Sequence, residues 1–134
     1  MNQFLRKFLR TRLAGQLTGL IFSKASNLVP LKRLKETPSW MAVLHPDPGY
    51  PVHIVILPKH KIANWMTLPI DDPSLYTEFV VLTQTMIHEF CLEDAGYRLI
   101  VNGGRFQTFP HLHVHLVAGE ALNGQESNPP KEQS

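Results

Sequence analysis

Three histidines alternate with apolar residues in Pro110-His111-Leu112-His113-Val114-His115-Leu116-Val117, just ahead of the small-residue turn Ala118-Gly119. Strict period-two alternation predicts a strand. Side chains two positions apart on a strand share a face at a spacing of roughly 7 Å. His111, His113 and His115 therefore form one polar ridge, and Leu112, Val114 and Leu116 face the core. Neutral imidazole ligates zinc, copper or iron. It is also nucleophilic near physiological pH and can attack a phosphate or acyl group. A third possibility is structural, each ring simply bonded to a backbone carbonyl.

The residues around the ridge favour phosphate over metal. The preceding segment ends in Asn102-Gly103-Gly104 and continues Arg105-Phe106-Gln107-Thr108, which supplies amide and hydroxyl donors and backbone N–H groups freed by glycine. Such donors suit phosphate oxygens. A first-row metal site more often adds a carboxylate or a cysteine, and no Asp or Glu lies between Gly96 and Gly119.

The rest of the chain must position these groups. Trp40-Met41-Ala42-Val43-Leu44 reads as a strand ended by His45-Pro46-Asp47-Pro48-Gly49-Tyr50-Pro51, whose prolines cannot continue a ladder. Val52 to Leu57 is a nearly unbroken apolar run, the pattern of a central strand buried on both faces, with His53 near its start. From Ser74 to Ala95 the period changes: Leu75, Phe79, Leu82, Met86, Ile87 and Phe90 recur at three- and four-residue steps and predict the main helix. Asp72 is its expected N-cap, Pro73 its first residue, and Gly96 its stop. Tyr97–Val101 is then a strand, joined through the glycine loop to the histidine strand, Phe109–Val117, as an antiparallel hairpin.

Length and charge bound the function further. The chain has 134 residues and 43% hydrophobic content, enough for one core and one domain. A single cysteine, Cys91, has no intrachain partner, which excludes a disulfide scaffold and fits a reducing, cytoplasmic setting. Eight of the thirteen Lys and Arg precede Glu36, the first acidic residue, so residues 1–35 carry +8 against −6 for the remainder. Residues 2–22 read as a basic amphipathic helix, too interrupted by charge to span a membrane, and an anionic surface or partner suits it. An Arg-rich start without acidic residues also resembles an organelle transit peptide. Residues 1–20 are an N-terminal extension and 123–134 a disordered tail.

His111-Leu112-His113-Val114-His115-Leu116-Val117 resembles the motif of the histidine triad (HIT) family. The resemblance extends to Tyr97–Gly103, to Gln107-Thr108, to Val52–His60 with its Pro-Lys-x-His exit, and to Ile21-Phe22-Ser23-Lys24 with Val29-Pro30. It covers residues 21–120 and is closest to the nucleoside phosphoramidase, purine nucleotide-binding branch.

The resemblance implies an α+β fold of the HIT type: a mostly antiparallel sheet of about five strands, one main helix packed on it, and the N-terminal amphipathic helix as an addition. The HIT domain would span residues 21–122. It implies a hydrolase or nucleotidyl transferase that cleaves a nucleoside 5′-monophosphate derivative, a phosphoramidate or similar compound, at the α-phosphorus. The middle histidine, His113, would be the nucleophile, carrying a nucleotidyl-histidine intermediate. His115 would hold phosphate oxygens, His111 would link to His53, and Thr108 would donate to the leaving group. Asn102, Gln107 and Thr108 would bind the phosphate. Asp47 or His45 would take the ribose, and apolar residues of the early strands, Leu44 among them, would line the base. No metal or other cofactor is implied, and a homodimer formed through the main helix and a neighbouring strand is.

Departures from the family pattern bear on substrate. The loop between Asn102 and His111 is about two residues shorter than in the phosphoramidase branch, and Arg105 stands where that branch has small or acidic residues. Ser23 stands where many bacterial relatives have a zinc cysteine, and Pro46 stands where the family has its ribose Asp. A dinucleoside polyphosphate hydrolase and a non-catalytic nucleotide-binding scaffold are the alternatives.

Overall fold

The chain is described by a computed structural model that covers residues 32–108 and 110–122. The predicted N-terminal helix, the opening motif and the tail from residue 123 lie outside the described residues. Five strands and one long helix follow in order: β1 (Arg33–Glu36), β2 (Trp40–Leu44), β3 (Val52–Pro58), a 3-10 turn (Trp65–Thr67), α1 (Pro73–Glu89), β4 (Arg98–Val101), a second 3-10 turn (Gly104–Phe106) and β5 (Val114–Ala118). The strands form one antiparallel sheet in the order β1-β2-β3-β5-β4. The hairpin expected between β4 and β5 is present, and β1 is a strand that hydropathy alone did not mark: RLKE offers one apolar residue.

Register decides what each face carries. Ile54 pairs with Leu116 and Ile56 with Val114, and these residues, with Trp40 and Ala42, pack against Leu75, Leu82 and Met86 of α1. Trp40 ties the helix down twice, its ring 4.8 Å from that of Phe79 and its indole N–H donated to the Leu75 carbonyl at 2.8 Å. Val55 pairs with His115 and His53 with Val117, so His53, Val55, His115 and Val117 share the face turned away from α1. Ile54 to Leu57 are all buried, as a central strand requires.

Two boundaries differ by more than one residue from the sequence-based expectation. The helix begins as expected, with Pro73 first and the Asp72 carboxylate accepting from the Leu75 N–H, but it ends at Glu89 rather than Ala95. Leu92 N bonds to Ile87 O and Cys91 N to His88 O, with Cys91 left-handed at φ 57°; this is a Schellman turn one residue after the C-cap Phe90. The turn folds Leu92 back into the core, and the helix stops there because that burial outweighs another turn of solvated helix. The histidine strand begins at Val114, not Phe109. Its partner β3 runs out at Pro58, which has no N–H to continue the ladder, so residues 110–113 find other partners.

Candidate functional site

Four imidazoles lie in a row on the sheet face opposite α1. The rings of His113 and His115 meet edge to face with centroids 5.1 Å apart, His115 and His53 are 5.1 Å apart, and His45 stacks on His53 at 4.2 Å. The row exists because residues of like parity on three strands share a face: His53 enters β3, His115 lies on its neighbour β5, and His45 directly follows β2.

Groups of fixed polarity around the row assign each ring its tautomer. A backbone carbonyl can only accept, so the 2.9 Å contact of His113 Nδ1 with the His111 carbonyl requires a proton on Nδ1 and places the ring lone pair on Nε2. A backbone N–H can only donate, so the 3.0 Å contact of Gly49 N with His53 Nδ1 requires His53 to carry its proton on Nε2. That proton is donated to His115 Nδ1 at 2.9 Å, which in turn places the His115 proton on Nε2. The outcome is a basic nitrogen on His113 next to a ring, His115, whose Nε2 is a donor.

Burial favours the neutral form of His53, His113 and His115. Desolvation, reinforced by neighbouring imidazoles, depresses His53 to about 3 and His115 to about 2. His111 and His113 are also lowered by burial, and each is partly compensated by its bond to a carbonyl.

His111 stands apart from the row. It is buried and donates from Nε2 to the Pro58 carbonyl at 3.2 Å. The expected link between His111 and His53 is thus replaced by one between His115 and His53. The β3–β5 register explains this, since it sets His53 opposite Val117, one diagonal step from His115 and six residues along from His111.

The nucleotide-binding candidates are placed unevenly. Asn102 is half-buried directly after β4, and Thr108 is exposed beyond the second 3-10 turn. Gln107 spends its side-chain amide on the Ala63 carbonyl at 2.6 Å. Asp47 is half-buried, and its backbone N–H donates to His45 Nδ1 at 3.0 Å. Leu44, expected against the base, pairs with Ile54 and packs on the core under α1. Its parity puts it on the opposite face from the histidines. Arg105 lies over the ring of its neighbour Phe106, 5.1 Å from the centroid. Gly49 was missed because a backbone N–H donor leaves no mark in a sequence beyond the Pro48-Gly49 turn itself.

His45, His53 and His115 each bring a ring nitrogen within 4.8 Å of the others, a grouping that could hold a metal ion. Their hydrogen bonds run the wrong way for it. A ligating imidazole keeps its proton on the remote nitrogen and donates it to a carbonyl or carboxylate. Here His45 Nδ1 and His53 Nδ1 both accept from backbone N–H groups, so ligation would require both of those bonds to break.

Residues 28–122 match the family model described as the HIT domain. A HIT-like protein of Chlamydia pneumoniae is 33% identical over 97 residues, which is 71% of this chain and 87% of that one. Among solved structures, a HIT family hydrolase from Legionella pneumophila superposes with a TM-score of 0.67 at 28% identity, covering 80% of this chain and 94% of that one. A HIT family hydrolase from Clostridium thermocellum gives 0.67 at 26%, covering 81% and 93%.

Proposed function

The chain belongs to the HIT domain family, and from that premise we propose that it cleaves a nucleoside 5′-monophosphate derivative, such as a phosphoramidate, at the α-phosphorus through a nucleotidyl-histidine. The observation that carries this reading is the pair of opposite tautomers: His113 holds its lone pair on Nε2, and the adjoining His115 offers an N–H. HIT family hydrolases among the solved relatives support the same class of chemistry.

His113 Nε2 attacks phosphorus, a P–N bond to the ring forms, and the bond to the leaving group breaks. The leaving amine or oxygen takes a proton through the Thr108 hydroxyl, which the proton lost by the attacking water restores in the second step. The ring then carries a positive charge, which the His111 carbonyl stabilises through the Nδ1–H bond. The His115 N–H stabilises charge on the phosphoryl oxygens, and Asn102 and the loop amides add donors of the same kind. Water next attacks phosphorus, the P–Nε2 bond breaks, and the imidazole and a nucleoside monophosphate are released. Splitting the displacement in two gives each step a good leaving group.

The reading includes a homodimer. β4 ends the sheet, its Leu99 and Val101 are 44% and 37% exposed, and α1 leaves Val80 and Val81 open. An unprotected apolar edge strand is a template for pairing with a second copy. Light scattering on the protein and on Leu99→Lys tests it: a dimer that the variant splits is the expected result.

The cleavage reading is tested by rapid-quench mass spectrometry with adenosine 5′-phosphoramidate. An adduct of one AMP in the wild type, lost with turnover in His113→Ala, is expected. Nucleotide binding with neither adduct nor turnover, on this substrate or on a dinucleoside polyphosphate, would overturn it.

A further inference from the structure

Beyond the end of the β3–β5 ladder, three bonds among the described residues help join the chain leaving β3 to the chain entering β5. Pro58 O accepts from His111 Nε2 at 3.2 Å, Ile62 O from Leu112 N at 2.8 Å, and Ala63 O from Gln107 Nε2 at 2.6 Å. Only the last engages the loop that follows β4. Both ends of that bond are locally fixed. Gln107 closes the Gly104–Phe106 turn, its own N–H bonding to Gly104 O at 3.0 Å. Ala63 precedes Asn64, whose side chain accepts from Met66 N and Thr67 N while Thr67 Oγ1 accepts from Asn64 N, a reciprocal capping box.

We infer that Gln107 is a positioning residue: its carboxamide clasps the Gly103–Thr108 loop to residues 62–64, holding Thr108 in register with the segment that carries His111 and His113. The inference rests on the reading of the site as a phosphoryl-transfer centre, and it gives the Gln107 side chain the task of holding the loop whose amides would bind the phosphate. One of the two N–H groups of the carboxamide is donated to a backbone carbonyl, which fixes the side chain toward residues 62–64. The loop N–H groups and the Thr108 hydroxyl are the donors the clasp keeps in place, and a shift of about 1 Å in such groups costs on the order of 100-fold in rate.

Gln107→Ala removes the clasp, and Gln107→Glu, nearly the same shape, sets a carboxylate oxygen against the Ala63 carbonyl. Gln84→Ala, on the exposed side of α1, is the control. Amide exchange in the substrate-free protein gives a readout independent of activity. Both Gln107 variants should lose about tenfold or more protection at Phe106, Gln107 and Leu112, with the α1 amides unchanged. In single-turnover reactions the adduct-forming rate should fall about 10- to 100-fold while AMP affinity moves less than about threefold. Asn64→Ala, which frees the other anchor, should lower the same rate and add little in the Gln107→Ala background.

Unchanged exchange with a large loss of AMP affinity would make Gln107 a substrate contact and overturn the inference. Unchanged exchange and an unchanged rate would also overturn it. If the wild type forms no adduct, the proposed chemistry fails, and the exchange data still decide whether the clasp exists.

Discussion

His53 Nε2 stands 2.9 Å from His115 Nδ1, and the direction of that bond is set from outside the pair by the Gly49 N–H on His53 Nδ1. A backbone turn between β2 and β3 thereby determines which nitrogen of a β5 histidine bears a proton. The catalytic reading of His115 as a donor depends on this relay more than on the motif that contains it.

Removing the relay should misorient His115 without unfolding the sheet, because His53 is only half-buried at the start of β3. His53→Ala is expected to lower the adduct-forming rate by about 10- to 100-fold. His53→Gln, whose Nε2 can donate from nearly the same place, should retain most of it. Stopped-flow or quench measurements on both variants check this, and equal loss in the two would count against the relay.

The neutral histidines make stability depend on pH in a definite sense. Unfolded histidine titrates near 6.5, whereas His53 and His115 in the fold titrate at about 3 and about 2. Between those values the unfolded chain binds protons that the folded one refuses. Stability is therefore complete at pH 7 and above and declines as the pH falls below 6.5, each group contributing a slope that approaches about 1.4 kcal/mol per pH unit. The His53 contribution levels off near pH 3 and the His115 contribution near pH 2. Because His113 is also lowered, kcat/KM should stay flat from pH 8 to below 6.5. Urea titrations at pH 7.5, 6.5 and 5.5 measure the first effect, and His115→Gln should flatten it.

Chelation should leave activity unaltered. The His45, His53 and His115 cluster binds a cation only if the Asp47 and Gly49 N–H bonds to its rings are given up. Turnover after dialysis against a strong chelator, set beside elemental analysis of the purified protein, tests this. Stoichiometric zinc whose removal abolishes adduct formation would contradict it.

Gly119 ends β5 at φ +84°, and a Cβ there would lie 2.8 Å from Pro51 Cγ. Gly119→Ala meets both the left-handed penalty and the clash, and should cost about 2–4 kcal/mol. A companion Pro51→Ala substitution should recover only the contact part. Denaturation midpoints for the single and double variants separate the two contributions.

Periodicity made the β2 strand, the central burial of β3, the N-terminus of α1 and the β4–β5 hairpin legible in the sequence, because each follows from residues adjacent along the chain. The three histidines announced a site for the same reason: alternate residues of an extended chain share a face whatever the fold around them. Leu44 was expected beside the base, and its exclusion from the histidine face rests on the parity of β2 relative to β3, which only pairing supplies.

Which histidines touch was decided by tertiary structure. The register that sets Val55 against His115 puts His53 within one diagonal step of His115 and about 20 Å of extended chain from His111, a relation between segments more than 60 residues apart. The tautomers depend on backbone groups at Gly49, Pro58 and His111, and every residue but proline offers the same N–H and C=O. The early end of α1 has a similar origin, since nothing local in Phe90-Cys91-Leu92 declares that burying Leu92 wins over continuing the helix. Residue type and spacing determined that imidazole chemistry belongs on one sheet face. The fold determined which ring is base, which is donor, and which side chain holds the loop beside them.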